Sequence, residues 1–229
     1  QTPQGFQKDL FKEAHQKAYD EKYLGTDDVS LVEHLGQPVH IVSGDYCNIK
    51  VTTPNDIAVA KRYLGIEDKR MRVGFGYDIH QLKAGRPCIL GGVHIESGLG
   101  PDGHSDADVL IHALMDAMLG AAGLRDIGYY FPPEDDQYKG ISSMLLLEKV
   151  NFLLKERGLQ AYNIDIMVIS ETPKLKPHID MMKANLQSIL EIPLDRISIK
   201  ATTNEMLGAI GRREGIAAQA VVSVYEGEI

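Results

Sequence analysis

The sequence has few cysteines and no apolar run long enough to cross a bilayer. Its two cysteines, Cys47 and Cys88, have neither C-x-x-C spacing nor the density of a disulfide framework, which suits a reducing compartment. The most apolar stretch, residues 109–124, carries His112 and Asp116 and is shorter than a membrane-spanning helix, and no basic-then-apolar signal opens the chain. We therefore expect a cytoplasmic protein that does not insert into membranes.

The chain also lacks an excess of basic residues. Its 24 Lys and Arg stand against 32 Asp and Glu, which gives a formal net charge of −8 at pH 7. This balance argues against a broad basic surface, so we expect no nucleic-acid partner. A phosphorylated small substrate is compatible with the charge if metal ions, helix N-termini and a few placed cations supply positive potential locally.

A short charged connector near residues 65–70 divides the chain into a first part, residues 1–70, and a second part, residues 71–229. Apolar spacing and start signals in the first part predict helices over 6–22 and from Thr53-Pro54 toward Tyr63, and strands at 39–42 and 48–52. We expect an α/β fragment, which at about 70 residues is marginal for independent stability.

The second part alternates more clearly between strands and helices. Strands are predicted at 73–76, 164–170, 197–201 and 217–224, with a hairpin of 88–90 and 93–95 around Gly91-Gly92. Helices are predicted from Ser105 to about Gly120, over 142–157 and over 177–190. The predicted class is α/β (α+β), with a mixed sheet whose helices pack on one face.

Three residues of the second part have the pattern of a catalytic metal site. Asp78 and His80 alternate on an extended segment and therefore point to the same side. His112, on the first long helix, would complete a three-ligand set with one position open, which is typical of catalytic zinc. The alternative is that Asp78 is a turn residue and the histidines are ordinary core or surface groups.

Polar residues around His112 suggest further roles, each with a simpler alternative. Asp108 and Asp116 lie four residues before and after His112, so either carboxylate could orient the imidazole or belong to a solvated acidic face. His104 comes just before the helix, where it could contact a phosphate or act as a cap or surface group.

Two later segments carry groups suited to phosphates and bases. Residues 200–205, Lys-Ala-Thr-Thr-Asn-Glu, bring a cation, two hydroxyls and a carboxylate to a strand end, which suits phosphate and Mg²⁺, although Thr-Thr is common at strand ends. Residues 170–178 form a loop with two prolines that could hold a base or be an ordinary connection. Residues 208–215 form a glycine-rich charged loop that could equally be a simple turn.

Several motifs follow one another over the whole second part: G-x-G-x-D-x-H at 74–80, H-S-D-A-D-V-x-x-H at 104–112, D-I-G at 126–128, F-P at 131–132, K-A-T-T-x-E at 200–205 and G-R-x-E-G-I-A at 211–217. In this order they resemble the 2-C-methyl-D-erythritol 2,4-cyclodiphosphate synthase family. The resemblance implies a metal-dependent phosphorus–oxygen lyase of the non-mevalonate isoprenoid pathway. It also implies a homotrimer with each active site between two subunits.

The resemblance assigns roles residue by residue. Zn²⁺ would be bound by Asp78, His80 and His112, and Mg²⁺ or Mn²⁺ by Glu205, while His104 and Thr203 would be the catalytic residues that steer phosphates. The implied substrate-binding residues are Ser105, Asp126, Gly128, Phe131, Asp135, Ser170, Pro173, Lys174, Leu175, Lys176, Ala201, Thr202 and Arg212. The implied substrate is 4-diphosphocytidyl-2-C-methyl-D-erythritol 2-phosphate, which would be cyclised with release of CMP.

The sequence departs from the family pattern at three places. Pro133 stands where an Asp is usual, so we do not expect the side-chain contact that the family makes to the erythritol moiety, and Asn204 replaces a common Thr. Ala209-Ile210 replaces the usual Phe-Thr, which removes a residue that helps the family to line a terpenoid-diphosphate site on the trimer axis.

Residues 1–70 resemble the C-terminal third of a different family, 2-C-methyl-D-erythritol 4-phosphate cytidylyltransferase. The matching segments are Q-T-P-Q-G-F at 1–6, T-D-D at 26–28 and N-I-K-V-T-T-P at 48–54, in which Lys50 would contact methylerythritol phosphate. The chain thus resembles part of a bifunctional fusion, and we expect its cytidylyltransferase activity to be lost because the CTP-binding loop has no counterpart. The alternatives are a zinc-dependent phosphohydrolase and, for residues 1–70, a purely structural assembly module.

Overall fold

The computed structural model describes residues 4–66 and 71–226 of the 229-residue chain. The chain divides into two compact units, Gln1–Glu67 and Asp68–Ile229. The first three residues of the predicted Q-T-P-Q-G-F motif and positions 67–70 of the predicted connector lie outside the described residues. No helix in the described ranges is long and apolar enough to cross a membrane.

The described residues of the first unit form three helices: α1 (Lys8–Asp20), α2 (Asp28–His34) and α3 (Pro54–Tyr63). The predicted helices are confirmed, and Thr53 caps α3 in a reciprocal capping box with Asp56, as its position before Pro54 indicated. The strands predicted at 39–42 and 48–52 are wrong, because these segments have no regular secondary structure and pair with no described strand. A strand needs a partner for its backbone groups, and β-propensity alone does not supply one.

The second unit is built on a five-stranded mixed sheet. Its strands, with a separate two-stranded hairpin, are β1 (Met71–Ala84), β2 (Cys88–Leu90), β3 (Val93–Ile95), β4 (Leu99–Asp102), β5 (Leu159–Ile169), β6 (Ile197–Thr202) and β7 (Gly215–Glu226). The sheet order is β4-β1-β7-β5-β6, in which β5 and β6 are parallel and the other neighbours are antiparallel. The predicted mixed sheet is confirmed, and β4 is a strand that the sequence pattern did not reveal.

The remaining helices are α4 (Val109–Ala121), α5 (Ile127–Tyr130), α6 (Ser143–Lys155), α7 (Ile179–Leu190) and α8 (Gly208–Gly211). The long helices α4, α6 and α7 pack against the sheet, and α4 is buried along almost its whole length. The predicted start of α4 at Ser105 is wrong. Asp108 is its N-cap and accepts a hydrogen bond from the Ile111 backbone amide, so residues 105–107 stay in the preceding loop.

Two glycines let α4 lie directly on β1. A Cβ atom at Gly74 would come 1.9 Å from the carbonyl oxygen of Ala117, and one at Gly76 would come 2.0 Å from that of Ala113. Only a residue without a side chain permits so close a backbone approach. The same side of β1 continues, two residues at a time, to Asp78, which therefore faces α4 as well.

The opposite side of β1 is open in the single chain. Val73, Phe75, Tyr77 and Ile79 alternate with the helix-facing residues and are between 47% and 68% exposed. Val221 on the neighbouring strand β7 extends this apolar surface. We call these five residues the open face. A contiguous apolar surface of this kind is unusual on a monomer and is typical of an interface between proteins.

Candidate active site

Asp78, His80 and His112 converge on one point at the contact between β1 and α4. Asp78 Oδ2 lies 3.0 Å from both His80 Nε2 and His112 Nδ1, and the two ring nitrogens lie 3.2 Å apart. One ligand atom from each residue thus falls within 4.8 Å of the others. Among the described residues this is the one group of His, Cys, Asp or Glu side chains with metal-binding geometry.

The hydrogen bonds of the two imidazoles fit a metal-binding role. His80 Nδ1 lies 2.8 Å from the carbonyl oxygen of Asp102, to which it must donate, so the lone pair of Nε2 is directed toward the other ligands. His112 Nε2 lies 3.0 Å from the hydroxyl oxygen of Ser143, which leaves Nδ1 for the same point. Two neutral imidazoles and a carboxylate form a three-ligand set that suits an open zinc site.

The prediction that Asp108 or Asp116 orients His112 is wrong. The carboxylate of Asp108 accepts hydrogen bonds from the backbone amides of Ile111 and Gly92, and that of Asp116 accepts one from Ile127. Both carboxylates satisfy backbone donors instead: Ile111 lies in the first turn of α4, Gly92 in the turn between β2 and β3, and Ile127 at the start of α5.

Asp78 and His80 have shifted pKa values. Burial disfavours the charged form of Asp78, but hydrogen bonds to His112 and His80 outweigh it and hold the pKa of the carboxyl well below its ordinary value. Burial also disfavours the charged form of His80, which lowers its pKa. The hydrogen bond and charge of Asp78 and the carbonyl of Asp102 outweigh burial, so the pKa of His80 is raised overall. A cation at this point would replace the stabilising proton, so metal uptake is linked to proton release.

The trio lies in the wall of a cavity of about 300 Å³. Four other predicted site residues line the same cavity: His104, Ser105, Gly128 and Phe131. Pro133 and Tyr138 also contribute to the wall. The Nε2 atom of His104 is buried and has no hydrogen-bond partner among the described residues. An unpaired buried donor or acceptor is costly, so His104 is suited to bind a group that enters the cavity.

The other predicted residues near the cavity have structural contacts of their own. Asp126 caps α5 by accepting a hydrogen bond from the Tyr129 amide, and Asp135 accepts one from the Gln137 amide. Lys50 belongs to the first unit, where it is exposed and lies outside the helices.

A second cluster of predicted residues gathers where β5 and β6 end. It contains Ser170, Pro173, Lys174, Leu175 and Lys176 after β5, and Ala201, Thr202, Thr203 and Glu205 at and beyond the end of β6. The Ser170 amide donates to the Thr202 carbonyl oxygen at 2.9 Å, and the Thr203 hydroxyl donates to Glu205 Oε1 at 2.5 Å. Arg212 is paired with Glu214 at 2.8 Å beyond α8.

The single chain does not bring the two clusters together. Across the sheet, Asp78 pairs with Ala218, which pairs with Val168, which in turn pairs with Ala201. Three strand spacings separate the metal-binding trio from the end of β6, which amounts to roughly 14 Å. None of the second cluster lines the cavity around the trio.

Two supporting groups were missed by the sequence analysis. Glu171 Oε1 accepts hydrogen bonds from the backbone amides of Asn204 and Met206, at 3.0 and 3.1 Å, and so holds Glu205 from both sides. Glu205 and Met206 both have left-handed backbone angles, which need such support. Ser143 contacts His112, although α6 gave no sequence signal beyond its capping serine, Ser142. The available signal for Glu171 was an acidic residue just after a predicted strand and two residues before Pro173.

Residues 71–225, which make up more than half of the chain, match the YgbB family. The chain belongs to the YgbB family. Residues 1–66 match a second family, 2-C-methyl-D-erythritol 4-phosphate cytidylyltransferase. The chain therefore carries a YgbB domain preceded by a cytidylyltransferase segment.

Relatives of both kinds are similar to this chain. The bifunctional enzyme IspD/IspF of Desulforudis audaxviator is 50% identical over 98% of the chain, which spans 56% of that relative's length. The 2-C-methyl-D-erythritol 2,4-cyclodiphosphate synthase of Synechococcus elongatus is 59% identical over 66% of the chain and 95% of its own length. A Plasmodium falciparum IspF complex with CDP matches 69% of the chain and 97% of its own, with 32% identity and a TM-score of 0.61.

Buried Asp108 makes the stability of the YgbB domain depend on pH. Its side chain is fully buried, and burial, helped by the charge of Asp106, raises its pKa to about 6 despite backbone hydrogen bonds. Because the folded pKa lies above the unfolded value of about 3.9, the folded state binds the proton more tightly. Its contribution is therefore complete below the unfolded pKa and is lost as pH rises through 6, a change of about 3 kcal/mol.

We expect Asp108→Asn to remove this part of the pH dependence, since an amide does not titrate. The measurement is the free energy of urea unfolding between pH 4.5 and pH 7.5, with chelator present so that metal binding does not contribute. The amide loses one backbone hydrogen bond at every pH, so the slope decides and the absolute stability does not. Parallel curves for the two proteins would contradict the assignment.

Proposed function

We propose that the YgbB domain converts 4-diphosphocytidyl-2-C-methyl-D-erythritol 2-phosphate to 2-C-methyl-D-erythritol 2,4-cyclodiphosphate and CMP. The observation that carries the proposal is the convergence of Asp78, His80 and His112 in the wall of a cavity. A site with three ligands leaves a position that a phosphate oxygen can take. The cyclodiphosphate synthase of Synechococcus elongatus, similar over nearly its entire length, supports this choice of reaction.

The proposed reaction is an intramolecular phosphoryl transfer. An oxygen of the 2-phosphate forms a bond to the β-phosphorus, and the bond from that phosphorus to the oxygen bridging the α-phosphate breaks, which releases CMP. The nucleophile is already an anion, so no protein side chain has to remove a proton. The requirement is to bring two anionic groups into line, which depends on positioning and on charge neutralisation.

We propose Zn²⁺ at the trio and Mg²⁺, or Mn²⁺ in its place, at Glu205, where a carboxylate suits a hard cation. When bound, these ions neutralise phosphate charge and act as Lewis acids. His104 fits the role of a phosphate ligand because its Nε2 is buried in the cavity wall and unpaired. Thr203 lies beside Glu205, at hydrogen-bonding distance from its carboxylate, and can orient it or donate to a phosphate.

The nucleotide end of the substrate fits the second cluster. The loop after β5 and the end of β6 are tied by the hydrogen bond between Ser170 and Thr202, and they offer backbone groups at a fixed spacing. Backbone donors and acceptors can read the edge of a base such as cytosine. The CDP complex of a similar IspF supports a cytidine nucleotide as the ligand.

We propose that a homotrimer completes the active site. Two features support it: the apolar open face of β1 and β7, and the separation of roughly 14 Å between the two clusters, which is three strand spacings. A second copy packed on the open face would bury its apolar side chains. It would also allow the trio of one chain and the Glu205 cluster of another to share one substrate.

For the cytidylyltransferase segment we propose no activity in this chain. Residues 1–66 match that family, yet the described residues of this unit form three helices without a phosphate-binding loop. Transfer of a nucleotidyl group needs donors aimed at the triphosphate, and exposed Lys50 alone does not provide them.

The two free cysteines, Cys47 and Cys88, support a reducing cytoplasm as the place of action.

The test is to incubate purified protein with the substrate, Zn²⁺ and Mg²⁺ and to follow phosphorus-containing products by ³¹P NMR. Equal amounts of CMP and a cyclic diphosphate are expected. Inorganic phosphate as the main product would instead indicate a zinc-dependent phosphohydrolase. Adding CTP and methylerythritol 4-phosphate in a parallel sample and assaying pyrophosphate tests the cytidylyltransferase segment.

Glu205→Gln is expected to weaken magnesium use without affecting zinc. The substitution keeps the size of the side chain and removes the charge that a hard cation prefers, so the Mg²⁺ concentration for half-maximal CMP release should rise by at least about tenfold. Glu96→Gln, at an exposed position outside both clusters, is the matched control. An unchanged Mg²⁺ curve with normal zinc content would assign Glu205 a structural part only.

A further inference from the structure

We propose that Ser143 and Asp106 are positioning residues that fix the tautomer and orientation of His112 for metal binding. The inference rests on the proposed metal site. Ser143 of α6 and Asp106 of the loop before α4 would support the ligand His112. The His112 side chain is 8% exposed, and each of its ring nitrogens has a polar neighbour.

The two nitrogens of His112 have different neighbours. Nδ1 faces Asp78 Oδ2 at 3.0 Å and His80 Nε2 at 3.2 Å, which is the side of the proposed cation. Nε2 faces the Ser143 hydroxyl at 3.0 Å and the Ser105 hydroxyl at 3.1 Å. A neutral imidazole carries one proton, so a ligand that binds through Nδ1 must carry it on Nε2 and needs an acceptor there.

The hydroxyl of Ser143 is held as that acceptor. It donates its proton to Asp106 Oδ1 in a short hydrogen bond, while the Ser143 backbone amide donates to Asp106 Oδ2 at 2.9 Å. A hydroxyl has one proton and two lone pairs, so a lone pair remains for the N–H of His112. Ser143 is fully buried, so bulk water does not compete with Asp106 and His112 for hydrogen bonds to its hydroxyl.

Ser105 is a weaker candidate for the same task. Its hydroxyl oxygen already accepts a hydrogen bond from the Ala107 amide at 3.2 Å, and its described hydrogen bonds include none to a carboxylate. The chain of groups is therefore carboxylate, hydroxyl, imidazole and cation, in the order Asp106, Ser143, His112. His80 is supported differently, by the backbone carbonyl of Asp102, which no substitution can remove.

The test measures zinc affinity directly by competition with a coloured chelator, using the intact chain. Ser143→Ala should raise the zinc dissociation constant by roughly 10- to 100-fold, the usual effect of losing such a supporting group. Ser143→Thr keeps the hydroxyl and should recover most of that loss. Ser142→Ala is the matched control, because Ser142 caps the same helix at the Met144 amide and does not touch His112.

A double-substitution cycle separates positioning from a general structural effect. Asp106→Asn alone should weaken zinc binding, whereas added to Ser143→Ala it should cause no further loss, because both act through one hydrogen-bonded chain. The visible spectrum of the Co²⁺-substituted protein should change in Ser143→Ala and Asp106→Asn but not in Ser142→Ala. Since Asp106→Asn alone tests the same chain, a poorly folded Ser143→Ala protein would not prevent a decision.

Two results would overturn the inference, and they are distinguishable. Unchanged zinc affinity and Co²⁺ spectrum in Ser143→Ala and Asp106→Asn, with only a lower melting temperature, would make the hydrogen bonds structural while the proposed metal site stood. A wild-type chain that failed to bind zinc would remove the proposed metal site itself and this inference with it.

Discussion

The His112→Ala protein is expected to lose stoichiometric zinc and to release CMP at least roughly a thousandfold more slowly, well beyond the 10- to 100-fold effect of removing a supporting residue. His112 supplies one of the three ligand atoms in the described site, so its loss leaves two ligands for the cation. Alanine is a strong helix former, and His112 lies inside α4, so the helix itself should persist. The measurements are metal content by atomic emission and CMP release under saturating substrate.

The matched control is His94→Ala, which removes an exposed histidine of β3 that lies outside the cavity. This variant should retain zinc and full activity. A His112→Ala protein with one zinc per chain and normal CMP release would show that the cation binds elsewhere and would contradict the assignment of the trio.

Phe75→Lys is expected to convert the proposed trimer to monomers and to reduce activity by about a hundredfold or more, since misplaced catalytic groups lose at least this much. Phe75 is 61% exposed at the centre of the open face. In a trimer it would be buried, so a lysine there would have to be desolvated without a partner. Sedimentation velocity measures the oligomeric state, and CMP release measures the activity.

Phe152 offers an equally exposed control, because it is also 61% exposed but lies on α6, away from the open face. Phe152→Lys should remain trimeric and active. A Phe75→Lys protein that is monomeric and fully active would refute the shared site, and one that remains trimeric would exclude the open face as the interface.

The proposed metal-binding trio was predictable from two signals: strand alternation for Asp78 and His80, and ligand chemistry with a matching family motif for His112, which lies 34 residues from Asp78. The alternation of a strand sets the direction of Asp78 and His80 regardless of the surrounding structure, and one helical residue, His112, completes the set. The support of His112 was not predictable in the same way, since Ser143 approaches it from a helix 31 residues later in the chain. Contacts of that kind depend on how α4 and α6 pack, and a single sequence does not record it.

The errors in the predicted elements have a similar origin. Residues 39–42 and 48–52 have strand-like composition, but a strand forms only where another backbone lies beside it. The start of α4 was misplaced because Ser105 and Asp108 are both good capping residues, and hydrogen bonding to the Gly92 amide favours Asp108. In each case a distant partner decided between local alternatives.

The close approach of α4 to β1 has a consequence for how the protein tolerates mutation. A methyl group at Gly76 would force the helix outward, because it would lie 2.0 Å from the Ala113 carbonyl oxygen, whereas Cβ atoms essentially never come within 3.0 Å of such an atom. That movement would carry His112, which belongs to the same rigid helix, away from Asp78 and His80. A mutational scan for loss of activity would therefore rank Gly74 and Gly76 alongside the ligands, although neither has a side chain to offer.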